Sequence, residues 1–236
     1  MHLFYTPNIS GDFHTLDKDD SRHCVRVLRL DVGDKITLTD GFGFWYDAEI
    51  VEPDPKATAV KIIRKSAEKP LLYEVNVAVA PTKNISRTEW AVEKCTELGI
   101  SRISMLNCEH SERKIVKEPR LERLITAAMK QSLKAYRPVL NPMTSFREFI
   151  EKPFKGQKFI AYVDEQYDNH LIQHVEPRKD ALVLIGPEGD FSREEVSLAI
   201  EKGFVPVSLG DSRLRTETAM VTACHTIHLA NQINQV

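Results

Sequence analysis

Ser208–Ala219, S-L-G-D-S-R-L-R-T-E-T-A, is the stretch from which the rest of the chain is best read. It follows the short apolar run Phe204–Val207, which reads as a buried strand, and runs into a helical pattern over Thr216–Asn231. It is therefore a strand-to-helix loop. Gly210 permits backbone conformations closed to other residues. Arg213, Arg215, Thr216, Glu217 and Thr218 then crowd hydrogen-bonding groups together. Alone, such residues cap a helix and face water, with Thr216 or Thr218 as the cap. A second loop of the same kind lies upstream. Ile185–Ser192, I-G-P-E-G-D-F-S, leaves the apolar run Ala181–Leu184 and enters a helix near Ser192. Two glycine-bearing loops that each leave a buried strand are expected to meet at one edge of a sheet, where α/β proteins bind ligands.

Outward from these loops the pattern alternates. Strands are expected at Tyr73–Ala80, Ile103–Leu106, Lys158–Val163, Ala181–Ile185 and Val205–Ser208. Helices are expected at Asn84–Gly99, Pro119–Ala135, Ser145–Glu151 and Ser192–Lys202. Asn84 caps the first of these, Gly99 ends it, and Pro119 opens the second. Alternating strands and helices predict an α/β domain, a parallel sheet covered on both faces, over residues 71–236. Residues 1–70 read instead as a small β-rich domain. Leu3–Thr6, Lys35–Thr39, Phe44–Val51 and Thr58–Arg64 are its strands, Asp19–Leu30 a helix, and Asp40–Gly43 a hairpin turn. The polar stretch Lys65–Pro70 marks the boundary.

Composition narrows the class. The chain has 236 residues and a formal net charge of -2, with 42% hydrophobic residues. No run approaches the roughly 18 apolar residues of a membrane helix, and the N-terminus lacks the pattern of a signal peptide. No membrane partner is expected. Cys24, Cys95, Cys108 and Cys224 lie far apart, so reduced thiols in a cytoplasmic protein are expected rather than a disulfide framework or a zinc site. His170 with His174, and His225 with His228, have ligand-like spacing but no cysteine or carboxylate partner stands out. No metal is expected. Neither a P-loop nor a dinucleotide fingerprint nor a serine-hydrolase elbow is present. The charge is uneven: the middle third is basic, and Arg113 to Arg137 form a basic series interrupted by Glu118 and Glu122. His23, Arg26 and Arg29 form a second, compact basic group. Two such groups in two domains point to RNA.

Taken together, these motifs resemble the SPOUT methyltransferases, and most closely the ribosomal RNA small subunit methyltransferase E family. The resemblance covers essentially the whole chain. His23–Asp34 and Thr39–Gly43 are similar to the family's PUA-like β-barrel. Arg87–Ile100, Ser111–Arg113 and Gln131–Ser132 are similar to its central helices, and Ile185–Ser192 and Leu209–Ala219 to the two loops of its C-terminal trefoil knot. Three positions depart from the family pattern. Asp190 stands where a third glycine is usual, D-S-R-L-R at Asp211–Arg215 replaces P-R-I-L-R, and Lys134 replaces an arginine.

The resemblance implies methylation of N3 of a uridine in small-subunit ribosomal RNA. It implies S-adenosylmethionine as donor, held by Ile185, Gly186, Pro187, Glu188, Gly189, Leu209, Gly210, Ser212, Leu214, Thr218 and Ala219. It also implies a homodimer packed through the knotted domains. Uracil N3 carries a proton at neutral pH, and the charge left on O2 and O4 calls for a nearby cation. Arg215 is the candidate, with Glu217 orienting it or taking the proton. His23, Arg26, Arg29 and Arg113 are candidates for RNA phosphates, on naked RNA or on an assembled small subunit. The competing expectations are a SPOUT enzyme acting on another RNA and a non-catalytic ribosome assembly factor.

Overall fold

A computed structural model describes residues 2–163 and 169–233. The chain divides into two compact units: Met1–Pro70 with Met129–Arg137, and Leu71–Ala128 with Pro138–Val236.

The first unit is a five-stranded half-barrel. Its strands are β1 (Leu3–Tyr5), β2 (Phe13–Thr15), β3 (Lys35–Thr39), β4 (Phe44–Glu52) and β5 (Ala59–Ala67), in the order β1-β3-β4-β5-β2. Only β1 and β3 pair in parallel. Alternation sets the inner face: Ile36, Leu38, Tyr46, Ala48 and Ile50 are buried, while the intervening Lys35, Asp47 and Glu49 are not. Phe4, Leu16, Cys24 and Val60 complete this core. A hydrogen bond of 2.8 Å between Thr6 Oγ1 and His14 Nε2 links the ends of the two edge strands.

Three expectations for this unit are corrected. The Asp19–Leu30 helix is instead α1 (Lys18–Arg22) followed by a π-helical turn at His23–Val27. The π turn is closed by Leu28 N–H to His23 O at 3.0 Å, and Arg29 then takes φ +58°. β5 runs through Lys65 and Ser66 to Ala67, because those residues pair with Tyr46 and Trp45. The hairpin Asp40–Gly43 is present, but it packs on Ala135–Arg137, the first of which was expected to end a helix.

The second unit is built on six parallel strands, β6 (Val75–Val79), β7 (Arg102–Asn107), β8 (Val139–Ser145), β9 (Gln157–Ala161), β10 (Ala181–Ile185) and β11 (Val205–Val207), in the order β11-β9-β10-β6-β7-β8. Every residue of β6 and β10 is buried, as parallel strands covered on both faces require. Val75, Val77 and Val79 face a core made with α2 (Ile85–Leu98), α3 (Glu118–Gln131) and α7 (Thr216–Ile233). Ala78 and Ala80 face the opposite core, made with α4 (Phe146–Ile150) and α6 (Arg193–Glu201). Asn84 caps α2 by accepting from Ser86 N–H, and Gly99 ends it at φ +98°. α3 stops at Gln131 rather than Ala135, because Leu133 turns left-handed at φ +52° and Lys134 N–H bonds back to Met129 O. β2, β8 and the short helix α5 (Leu171–His174) were not expected. No described helix is long and apolar enough to cross a membrane.

Candidate functional site

The carboxyl ends of β9, β10 and β11 are neighbours in the sheet, so the loops that leave them converge. They enclose a cavity of ≈ 630 Å³, within the range of small-molecule sites. Its wall comprises Ala161–Val163, Ile185–Glu188 with Asp190, and Val207–Thr216 with Ala219. The two loops expected to meet do so. Thr216 Oγ1 donates to the carbonyl of Gly186 at 3.1 Å, and this buried bond joins one loop to the other. Thr216 is thus a cross-tie between loops, not a solvent-facing cap. Ala219 N–H bonds to Arg215 O at 2.8 Å and starts α7.

Local features hold the first loop. Ser192 and Glu195 form a capping box at the start of α6. Glu195 also reaches out of its helix: Oε2 accepts from Ser192 N–H at 3.0 Å, while Oε1 accepts from Glu109 N–H at 2.9 Å, past the end of β7. His110 packs on the loop from the same side, its Nδ1 3.1 Å from both Gly189 O and Asp190 O. Glu188 accepts from Lys83 N–H at 2.9 Å, after β6. Asp190 adopts φ +62°, the left-handed region where a glycine is unstrained. Burial pushes its carboxyl above the usual carboxylate range, opposed by N–H groups of Phe191 and Val163 and by the charges of Arg213 and His110.

Of the residues expected around a cofactor, Ile185, Gly186, Pro187, Glu188, Leu209, Gly210, Ser212, Leu214 and Ala219 line the cavity, as does Arg215. Gly189 and Thr218 are exposed and lie off its wall. Glu217 also lies off the wall. Its carboxylate is 3.7 Å from the guanidinium of Arg87, and its second oxygen is buried without a hydrogen bond. Arg113 braces a loop: Nε donates to Thr82 O at 3.0 Å and Nη2 to Lys83 O at 2.6 Å. His23, Arg26 and Arg29 are exposed on the first unit. Sequence reading missed Tyr162 and Val163, because only the sheet order brings the exit of β9 beside those of β10 and β11.

The whole arrangement has close relatives. Residues 67–228 match the RNA methyltransferase domain family, and residues 16–63 the RNA methyltransferase PUA domain family. The ribosomal RNA small subunit methyltransferase E of Synechocystis is 32% identical over 222 residues, covering 91% of this chain and 72% of that protein. The crystal structure of a probable rRNA-methyltransferase from Porphyromonas gingivalis is 42% identical, with a TM-score of 0.93 over 100% of both chains. A ribosomal RNA small subunit methyltransferase E from Neisseria gonorrhoeae, bound to S-adenosyl methionine, is 26% identical, with a TM-score of 0.85 over 97% of each chain.

Proposed function

Because the chain belongs to the ribosomal RNA small subunit methyltransferase E family, we propose that it methylates N3 of a uridine in small-subunit ribosomal RNA with S-adenosylmethionine as donor. The observation that carries this reading is the cavity at the carboxyl edge of the parallel sheet, walled by two glycine-bearing loops that Thr216 ties together. The lining fits a nucleoside carrying a charged amino acid, since it joins apolar Leu209, Leu214 and Ala219 to charged Glu188, Asp190 and Arg213. Gly186 is tightly placed, since a Cβ there would lie 3.1 Å from the Phe191 ring, which would have to shift by a few tenths of an ångström. Gly210 holds φ +122°, and nothing lies within 4 Å of where its Cβ would be. Both glycines line the cavity and present no side chain to it, as close approach to a ligand needs. The trefoil crossing of these loops is part of the proposal and rests on the family to which the chain belongs.

S-adenosylmethionine supplies a methyl already activated on a sulfonium, so much of the acceleration comes from positioning. The chain's own residues must hold uracil and take its N3 proton. Glu217, with one oxygen without a hydrogen bond, is proposed either to accept that proton or to orient Arg215. Arg215, exposed on the cavity wall, is proposed to stabilise the charge that develops on O2 and O4. Its other oxygen faces Arg87 in this structure, which anchors the first turn of α7 beside Arg215. N3 lies on the pairing edge, so the target base is taken unpaired or flipped. His23, Arg26 and Arg29 are proposed to hold phosphates, with Arg113 acting on the loop it braces. A homodimer through the α/β units and a cytoplasmic location complete the reading.

Calorimetric titration with S-adenosylmethionine tests it. Saturable binding near one per chain is expected, lost in Gly210→Trp with unchanged circular dichroism. Arg215→Ala is expected to keep that binding while methyl transfer to small ribosomal subunits falls about 100-fold or more. A folded protein that binds no donor, alone or with small subunits present, would instead be a non-catalytic assembly factor.

A further inference from the structure

The hairpin turn between β3 and β4 presents Phe42 at 70% exposure, more than any other described Phe, Tyr or Trp side chain. An apolar ring held in water is unfavourable, and this one is held rigidly. Asp40 is 7% exposed and fully engaged: Oδ1 accepts from Phe42 N–H at 2.8 Å and Phe44 N–H at 3.2 Å, and Oδ2 from Tyr46 OH at 3.1 Å. Gly41 and Gly43 flank the ring at φ +78° and +93°. A Cβ at Gly41 would lie 2.8 Å from the Tyr5 ring, and one at Gly43 would overlap Tyr136. The backbone on either side of Phe42 is therefore pressed flat while the ring alone projects.

The surface beneath is equally fixed. Gly43 N–H donates to Ala135 O at 3.0 Å, and Arg137 N–H to Gly41 O at 2.9 Å. Phe42 and Tyr136 form an antiparallel bridge, which sets their side chains on one face. Tyr136, 40% exposed, is pinned through its hydroxyl to Glu68 O at 3.2 Å. The strands and segment that hold the turn carry cations. Lys65 is exposed and sits 3.9 Å over the Phe44 ring, and Lys69, Lys134 and Arg137 are close by in the chain. The one carboxylate of the turn itself is the engaged Asp40; Glu68, beside the turn, is exposed and accepts from Trp45 Nε1 at 2.9 Å.

We propose that Phe42, backed by Tyr136, is a stacking platform for an unpaired base of the RNA. The inference rests on the RNA substrate of the preceding section and deepens it. A rigid exposed ring on a unit that carries Lys65, Lys134 and Arg137 suits a base on a phosphate backbone: stacking is indifferent to base identity, and the same unit supplies cations for phosphates. Neither Phe42 nor Tyr136 belongs to the cavity or to the basic group at His23–Arg29.

Fluorescence anisotropy with a short labelled single-stranded RNA of mixed sequence tests this. Phe42→Ala is expected to raise Kd roughly 5- to 100-fold, and Phe42→Trp to restore it. The salt dependence should keep its slope in both, whereas Arg26→Ala should make it shallower. The Phe42→Trp protein should also show emission quenching on RNA addition beyond that of the wild type. Unchanged affinity in Phe42→Ala overturns the proposal, as does an equal loss in both variants. A shift in oligomeric state by light scattering that accompanies the loss also overturns it, since the ring would then serve contact between copies. Wild-type protein that binds and methylates RNA whatever the Phe42 results separates this inference from the functional reading itself.

Discussion

Asp190 carries two costs at one position. Its φ of +62° belongs to glycine, and its carboxyl is pushed up by burial. Aspartate tolerates the left-handed region better than most residues, because its short side chain bonds locally; here Oδ1 accepts from Phe191 N–H at 2.8 Å. A folded-state pKa above the unfolded one means that ionisation opposes folding. The penalty is absent below the ordinary carboxylate range and complete above the folded value. Asp190→Asn keeps the acceptor and removes the charge. It is expected to be more stable than wild type at pH 7, with the difference vanishing near pH 3; urea denaturation at both pH values measures it, and a gain independent of pH would contradict it. In the sequence Asp190 stood out only as a departure from the glycine that the resemblance led one to expect; the left-handed backbone that explains a glycine there is seen in the structure. That an aspartate could meet this requirement was not legible either, since that depends on the N–H groups the loop turns toward it.

At the scale of elements, Glu195 holds the start of α6 and the exit of β7 with one side chain. Glu195→Ala leaves two N–H groups without their acceptor, one of them at the buried Ser192. About 2–4 kcal/mol of stability should be lost, since each unpaired buried donor costs about 1–3 kcal/mol. Glu195→Gln keeps one of the two acceptors and turns its amide NH2 toward the other N–H, so it should lose at least about half of that by the same denaturant measurement. Elements with two independent signals were legible. α2 had both its cap at Asn84 and its stop at Gly99, and β10 its unbroken apolar run. β8 was not, because Pro142 interrupts it; it survives because it lies at the edge of the sheet, where a missing N–H is tolerated. The π turn at His23–Val27 was invisible because its residues suit an α-helix equally well. Of the cavity, the two loops were legible from their glycines, and the β9 exit was not, because strand order lies outside any local pattern.

At the scale of the molecule, the four cysteines are divided between cores. Cys24 lies in the first unit and Cys95, Cys108 and Cys224 in the second, none more than 4% exposed. Burial is the main cause raising Cys24 and Cys108, while Cys95 is raised first by its hydrogen bond with Cys224. The native protein is therefore expected not to react with Ellman's reagent at pH 8. In rising urea one thiol should appear before the other three, because the smaller core is the less stable. Simultaneous release of all four would show instead that the units unfold together. The first unit's reliance on Met129–Arg137 was the feature least open to sequence reading, since the helical pattern runs on to Ala135, past Gln131 where α3 ends.

That reliance bears on descent. Had the first unit been residues 1–70 alone, it would be a portable cassette that recombination could join to any enzyme. Instead its hairpin takes an acceptor from Ala135, and its helix α1 takes the cation of Lys130 at 3.0 Å from Asp20. A gene cut at residue 70 would strip both away. The two halves are bound to be inherited as one piece, exchanged whole or not at all.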